Sequence, residues 1–513
     1  MVLHKSAPCA RLIGGILVLA LSAGLVACAG SGVSSGVQAS VEKAETSVVD
    51  GVVLTRHVVQ IEPRFYVPYP GADKGIKQRF PHGFPIAPGS GLTLRNKDAD
   101  GTLWFYALTD RGPNGDSPDL APGNSSAAVA SKTKSFPAPD YAPRFGLIRV
   151  RNGVAELVSV TAIKTAEGMN VSGRPVRGGI GSSGEVPLTE ALQATPAFDA
   201  HGIDPEAIAM DPDGKHVWIC DEYGPYLMKV AVDSGRIAAK FAPATGLPEV
   251  LKFRQPNRGC EGMAITPGGR LVMAIQSTLE MPDQGSGSSA RHTGKAPFTR
   301  LVEFNPANGA TRMFAYPHDV ARYGKSKDAK IGDIVALSDT RFVLIEQGKF
   351  KADGEVHNLL VAVDVAQATD LTGKKLAGGV ELEYAETLGE LAAAGVVPAK
   401  RLEILDLRKK GSDGKLQFGW LPEKAEGLAL VSDDTLALIN DNDFGVSARI
   451  TDAAGKAFKI DDCSVDAAGV LGGNKCKGTA PLKYDIVNGS DDEKPTRLWL
   501  IRLPKKLMDY RPG

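Results

Sequence analysis

The stretch Glu206-Ala-Ile-Ala-Met-Asp-Pro-Asp-Gly214 runs into Val217-Trp-Ile-Cys-Asp221, so an acid and a short apolar run precede a turn and a second apolar run that ends on another acid. Two short apolar runs around Asp-Gly read as a β-hairpin, because these residues tolerate the backbone angles of a tight turn. The arrangement recurs. Glu261-Gly-Met-Ala-Ile-Thr-Pro-Gly-Gly269 leads to Leu271-Val-Met-Ala-Ile-Gln276, and Asp333-Ile-Val-Ala-Leu-Ser-Asp339 leads to Phe342-Val-Leu-Ile-Glu346. Glu426-Gly-Leu-Ala-Leu-Val-Ser-Asp-Asp434 leads to Leu436-Ala-Leu-Ile-Asn440, and a copy without the first acid is Ser90-Gly-Leu-Thr-Leu94 followed by Leu103-Trp-Phe-Tyr-Ala-Leu-Thr-Asp110.

Most copies are followed by a second strand pair, such as the one beginning Tyr226-Leu-Met-Lys-Val-Ala-Val232. Four strands per unit at irregular intervals describe the blades of an all-β propeller carrying loop insertions. The long gap between the first two copies contains Phe145-Gly-Leu-Ile-Arg-Val-Arg151 and has room for a further blade, so six blades are expected, with five or seven allowed. A β-sandwich array would explain the strands but not the acid at a fixed point. The best helical signal, Thr387 to Ala394, reads as an insertion.

At the N-terminus, Lys5 and Arg11 precede an uncharged apolar run from Leu12 to Val26 that ends in Leu25-Val26-Ala27-Cys28. The run is shorter than the roughly 20 residues a bilayer-spanning helix needs and has the layout of a signal peptide with a lipobox. Residues 1–27 are therefore expected to be a leader, Cys28 the lipidated residue, 28–51 a Gly/Ser/Ala-rich tether and 52–505 the propeller. An exported lipoprotein is expected, membrane-anchored through Cys28; Ala29 in place of Asp favours the outer membrane, with the domain facing the periplasm or the surface.

The 59 basic residues become 57 once Lys5 and Arg11 are removed, against 59 acidic ones. Such a balance gives no footprint for nucleic acid. The 58 Gly and 33 Pro make the chain turn-dense, while 43% apolar content suffices for a large core. A monomer is expected. With Cys9 in the leader and Cys28 lipidated, four cysteines remain, an even number in an oxidising compartment. Cys463 and Cys476 flank a short insertion and are the first expected pair; Cys220 and Cys260 pair if their strands are neighbours.

In a propeller the first strand of each blade lines the central channel, so the recurring acid would form a ring. Glu206, Asp221, Glu261, Asp333, Glu426 and Asp441 are the candidate metal ligands, because crowded carboxylates need protons or a cation and hard oxygen donors suit calcium. The alternative is that they cap turns and pair with Arg or Lys.

Four segments in order, Asp110-Arg-Gly-Pro-Asn-Gly115, Asp221-Glu-Tyr-Gly-Pro225, Asn257-Arg-Gly-Cys-Glu-Gly262 and Asn440-Asp-Asn-Asp-Phe-Gly445, each follow a repeat strand. In these the chain resembles the phytase-like family, described as esterase-like activity of phytase, over about residues 52–503. The resemblance implies a β-propeller and hydrolysis of an ester or phosphoester, fold transferring more safely than activity. Arg111 and Arg258, within these segments, are candidates to clamp an anionic substrate, or else to neutralise the acids.

Other motifs point elsewhere only weakly. Gly179-Ile-Gly-Ser-Ser-Gly184 lacks the strand and βαβ context of a dinucleotide site, and Asn96-Lys-Asp-Ala-Asp-Gly101 has Ala107 where a calcium loop needs Glu. No Gly-x-Ser-x-Gly elbow occurs, and the cysteines lack zinc spacing. His82, His201, His292 and His318 lie in loop-like segments, and His201, five residues before Glu206, is the acid/base histidine to test first.

The expected function is a metal-assisted hydrolase acting on a small anionic or ester substrate at the cell envelope. Glu206, Glu261, His201 and Asp110 are the catalytic candidates, and calcium is the expected cofactor. The alternatives are a lactonase-like or sugar-acting propeller and a non-catalytic, calcium-stabilised binding protein. If Cys28 carries the lipid, Cys28→Ala abolishes labelling by a radioactive fatty acid and moves the protein out of the membrane fraction; unchanged labelling refutes the lipobox reading.

Overall fold

The computed structural model describes residues 44–121, 131–193, 197–285, 292–492 and 494–513. The leader, the lipobox and Cys28 lie outside these residues. Five antiparallel sheets with a four-stranded core account for most of the chain. Blade one comprises Gly91–Lys97, Leu103–Leu108, Arg144–Arg151 and Val154–Ala162, and blade two Pro205–Met210, His216–Asp221, Leu227–Ala231 and Ile237–Pro243. Blade three holds Cys260–Ile265, Leu271–Ile275, Phe298–Phe304 and Thr311–Pro317, and blade four Lys330–Ala336, Arg341–Lys349, Val356–Asp364 and Lys400–Asp406. Blade five is assembled from both ends of the domain: Gly427–Leu430, Thr435–Ile439 and Arg497–Arg502 are completed by Val52–Gln60.

The first strands of the five blades adjoin one another in a closed ring, one to two, two to three, and so on back from five to one. The fold is a β-propeller with five blades rather than six. The segment read as room for another blade, Phe145–Arg151, lies in the third strand of blade one. A long insertion between the second and third strands had separated one blade's halves in sequence.

Each gap between neighbouring blades is filled by its own hydrophobic cluster, which explains why the strands read as continuous apolar runs rather than alternating ones. In Thr435–Ile439, Leu436 and Leu438 pack toward blade four while Ala437 and Ile439 pack toward blade one. Successive side chains point to opposite faces of a strand, and here both faces are covered. Near the axis the backbones almost touch. A Cβ on Gly91 would stand 2.9 Å from the Ala207 Cα, and one on Gly427 2.8 Å from the Gly91 carbonyl carbon. Close approach therefore favours Gly or Ala just after Glu206, Glu261 and Glu426.

The turns follow their sequence. In the blade-two hairpin the Asp213 carboxylate accepts from the backbone N–H groups of Lys215 and His216, Gly214 has φ +68°, and Trp218 Nε1 donates to Asp211. The expected tether is shorter than residue 51, because Glu45–Val49 pairs with Val52–Arg56 across an Asp50-Gly51 turn in which both residues have positive φ. The expected helix is present as Leu388–Ala393, capped by Thr387. Both expected disulfides are present. Cys220–Cys260 joins blades two and three, and Cys463–Cys476 lies in the insertion of blade five. Strands Ser464–Val465 of that insertion and Asp119–Leu120 of the blade-one insertion pair in parallel, building a cap beside the channel mouth.

Asp333, expected as a metal ligand, is instead a fastener of the ring. Its Oδ1 accepts from the N–H of Met263 at 3.1 Å and of Ile334 at 2.8 Å, and its Oδ2 from the N–H of Leu428 at 2.9 Å. One carboxylate thus joins the first strands of blades three, four and five. Burial pushes its carboxyl up to about 8, against the lowering effect of these donors. Asp333→Asn places an NH₂ group against a backbone N–H and leaves a buried donor unpaired, which costs roughly 1–3 kcal/mol. The expected result is a lower urea midpoint at unchanged slope, and a midpoint equal to the parent's would show that the carboxylate does not hold the ring.

Candidate functional site

At one mouth of the channel, bounded partly by the cap, lies a cavity of about 340 Å³. The acids reach it because their strands are irregular at that point. In blade two the pair Pro205–Asp221 is followed by Ala207–Cys220, which leaves Glu206 as the extra residue of a β-bulge; in blade three Glu261 is skipped in the same way. A bulge re-aims one side chain without disturbing the rest of the strand. Glu426 occupies the matching place before Gly427. Blade four departs from the others. Its bulge also adds one residue, since Gly332 and Asp333 fall between the pairs Ile331–Glu346 and Ile334–Leu344, but Gly332 holds the place of Glu206 and Asp333 that of Ala207, so Asp333 turns into the backbone of the ring.

Eight carboxylates line the cavity, those of Asp110, Asp116, Glu206, Glu222, Glu261, Glu426, Asp441 and Asp443, against the four cations Arg111, Lys134, Lys330 and Lys424. Asp204, fully buried behind Glu206, completes two acidic groups. One oxygen each of Asp204, Glu206 and Glu222 lie within 4.8 Å of one another, as do one each of Asp110, Asp441 and Asp443. The second group already holds a cation, since Lys424 Nζ donates to Asp441 at 2.8 Å and to Asp443 at 2.7 Å. The first is met only at Asp204, by the Arg111 Nε at 3.3 Å.

Burial, then the neighbouring acids Asp204 and Glu261, raises Glu206 well above the usual carboxylate range; burial with Glu222 and Glu426 does the same for Glu261. Glu222 is pushed up to about 8 by burial and Asp204, and Glu426 to about 8 by burial that Lys424 only partly offsets. Asp110 is raised by burial and by Asp441. Gln276 donates to Glu261 Oε1, while Glu261 Oε2 is buried without a hydrogen-bond partner.

Of the residues singled out from sequence, Asp110, Arg111, Glu206, Glu261, Glu426 and Asp441 converge on this cavity. Asp221 does not line it. Its carboxylate accepts from the N–H of Asp204 and of Gly224, so it shapes the turn that presents Asp204, and burial pushes it up to about 7. His201 is exposed outside the cavity, because its loop lies beyond the end of the strand that carries Glu206. Arg258 also lies off the lining and donates to Ser277 at 3.3 Å. Arg111 lines the cavity, but its guanidinium is engaged by Glu185 at 3.0 Å and by Asp204. His82 and His292 are exposed, and His318 is buried against Tyr316.

The residues missed were Asp204, Glu222, Asp443, Lys330 and Lys424. Glu222 and Asp443 stood inside the quoted segments, next to acids already chosen. For the others a signal existed: Asp204 and Lys424 each lie two residues before the recurring acid, and Lys330 two before Gly332, which holds the acid's register place in blade four.

The model of the family described as "Phytase-like: Esterase-like activity of phytase" matches residues 89–444, which contain every cavity residue named above. No curated protein matches the chain. Among solved structures, the chain is similar to hydrazine synthase of Kuenenia stuttgartiensis, at 10% identity over 72% of this chain and 81% of that one, with a TM-score of 0.29. It is similar to a luciferin-regenerating enzyme at 8% identity over 82% and 92%, TM-score 0.31, and to the periplasmic gluconolactonase of Pseudomonas aeruginosa at 12% over 72% and 83%, TM-score 0.25. These superpositions are too loose to bear on activity.

The raised carboxyls make the metal-free protein pH-sensitive. Glu222 and Glu426 keep their protons in the fold up to about pH 8 but lose them near pH 4 in the unfolded chain. The folded state then binds more protons throughout this window, so their stabilisation is complete below about pH 4 and is lost as pH rises through about 8. In chelator the melting temperature should fall from pH 5 to pH 8, and Glu222→Gln with Glu426→Gln should flatten the decline. A profile identical in parent and double variant would show that these two groups are not the cause.

Proposed function

Since the chain belongs to the phytase-like family, we propose that it is a metal-assisted hydrolase of an ester or phosphoester, held at the cell envelope by a lipid on Cys28. The observation that carries this reading is the convergence of Glu206, Glu222 and Glu261 on one cavity, with Asp204 clustered against the first two and one Glu261 oxygen buried without a hydrogen-bond partner. All of these donors are carboxylate oxygens, those of Asp204, Glu206 and Glu222 from blade two and that of Glu261 from blade three. That chemistry fits calcium, which takes six to eight oxygen ligands in flexible geometry. Arg111 fixes Asp204, and Gln276 fixes Glu261, so the ligand oxygens are oriented before anything binds.

Calcium bound there would polarise a substrate oxygen and acidify a water molecule. Glu426, whose ionised form a bound cation would favour, could then take the water's proton. Asp110, kept protonated by burial beside Asp441, can return a proton to the leaving oxygen. The neighbouring Lys424 keeps Asp441 and Asp443 from competing for the cation.

A panel of phosphomonoester, phosphodiester, carboxylester and lactone substrates, with and without chelator, tests the reaction class. Calcium should raise the melting temperature, with about 2.7 kcal/mol of stabilisation at a hundredfold excess over Kd. Glu206→Gln and Glu261→Gln should lose both that shift and turnover. Glu426→Gln should keep the shift and lose about 10²–10⁴-fold in rate. Equal calcium shifts in the parent, Glu206→Gln and Glu261→Gln would overturn the proposal.

A further inference from the structure

The same register position ahead of the ring acid carries a charge in three blades: Asp204 in blade two, Lys330 in blade four and Lys424 in blade five. Two of these charges are matched within the protein. Asp204 meets Arg111, and Lys424 meets Asp441 and Asp443. Lys330 is different: it is half-buried and lines the cavity, yet among the described residues its ammonium group has no hydrogen-bond or ion-pair partner. The other cavity cations are all engaged, Arg111 by Glu185 and Asp204, Lys134 by Asp116 at 2.6 Å, and Lys424 as above. Lys330 nevertheless stands close enough to Glu222, Glu261 and Glu426 to lower the carboxyl of each.

We propose that Lys330 is the specificity-determining contact for an anionic oxygen group of the substrate, so that the cavity selects phosphorylated esters over neutral ones. An ammonium group is a compact point charge on a flexible stem, suited to meet phosphate without a fixed bidentate geometry. A cavity dominated by carboxylates repels an anion everywhere except at an uncommitted cation. Lys330, on the first strand of blade four, gives an anionic substrate one orientation, its charged end toward that blade. This inference deepens the hydrolase reading and rests on it for the word substrate, but anion binding can be measured without turnover.

The test is binding of inorganic phosphate to the full-length protein by calorimetry, with and without calcium, in the parent, Lys330→Met and Lys330→Arg. The parent should bind phosphate in at least one condition. Lys330→Met should weaken binding by about tenfold or more, the size expected for a charge-assisted contact, while Lys330→Arg keeps it within about threefold because the charge remains. Lys330→Gln replaces Met if the apolar variant does not fold. With 4-nitrophenyl phosphate the KM of Lys330→Met should rise by about tenfold or more, and by a larger factor than its KM for 4-nitrophenyl acetate. Phosphate binding that is absent from the parent, or equal in parent and Lys330→Met, overturns the proposal. Lys330-dependent phosphate binding in a protein that hydrolyses neither ester leaves this contact standing and removes the hydrolase reading instead.

Discussion

The pairing of Val53–Val58 with Arg497–Arg502 is the constraint on which the rest of this molecule depends. It joins the two ends of the domain inside one blade and closes the ring. Without it the third strand of blade five would present an unpaired edge, and nothing would hold blade five against blade one except side-chain packing. The same outer strand also pairs in parallel with Ala155 and Glu156 of blade one, so the seam is fastened on both sides. Closure fixes the spacing of the inner strands, and that spacing is what brings Gly91, Ala207 and Gly427 into backbone contact.

Ring closure is also what gathers the acids. Each ring glutamate alone would be an ordinary charged residue at the end of a strand. Held around one axis, Glu206, Glu222, Glu261 and Glu426 lose water and face one another, and both effects favour the protonated form. The fold tolerates the concentration of charge because the cations are distributed unevenly. Lys424 neutralises one acidic group, Arg111 engages only the back of the other, and Lys330 remains uncommitted. The cavity is therefore divided into a side whose acids are paired with Lys424 and a side whose acids are met by a cation only from behind.

Blade four shows how one residue changes the use of a conserved pattern within the chain. Its acid stands one place later in the register, where the other blades have Ala207, Gly262 or Gly427, and this directs the carboxylate to three backbone N–H groups instead of the channel mouth. Asp221 makes a comparable shift of role, orienting the turn that carries Asp204. In both places an acid that looks like a ligand in sequence acts one layer behind the cavity and makes the geometry of the front layer possible.

The sequence by itself determined the propeller, the hairpin unit and most of the acidic ring, because these follow from local patterns: apolar runs of strand length, turn residues between them and an acid at a constant offset. It also marked the two disulfides as candidates, Cys463 and Cys476 by the short insertion they flank and Cys220 and Cys260 if their strands proved to be neighbours. The tertiary structure alone decided that five blades close the ring, because a blade split by an insertion cannot be told from two blades until its strands pair. It alone decided which acids face the cavity, because a β-bulge turns a side chain to the other face without leaving a mark in composition or period. It alone paired each cation with its acids, since Arg111 and Asp204 are 93 residues apart and meet only through the packing of blade one against blade two.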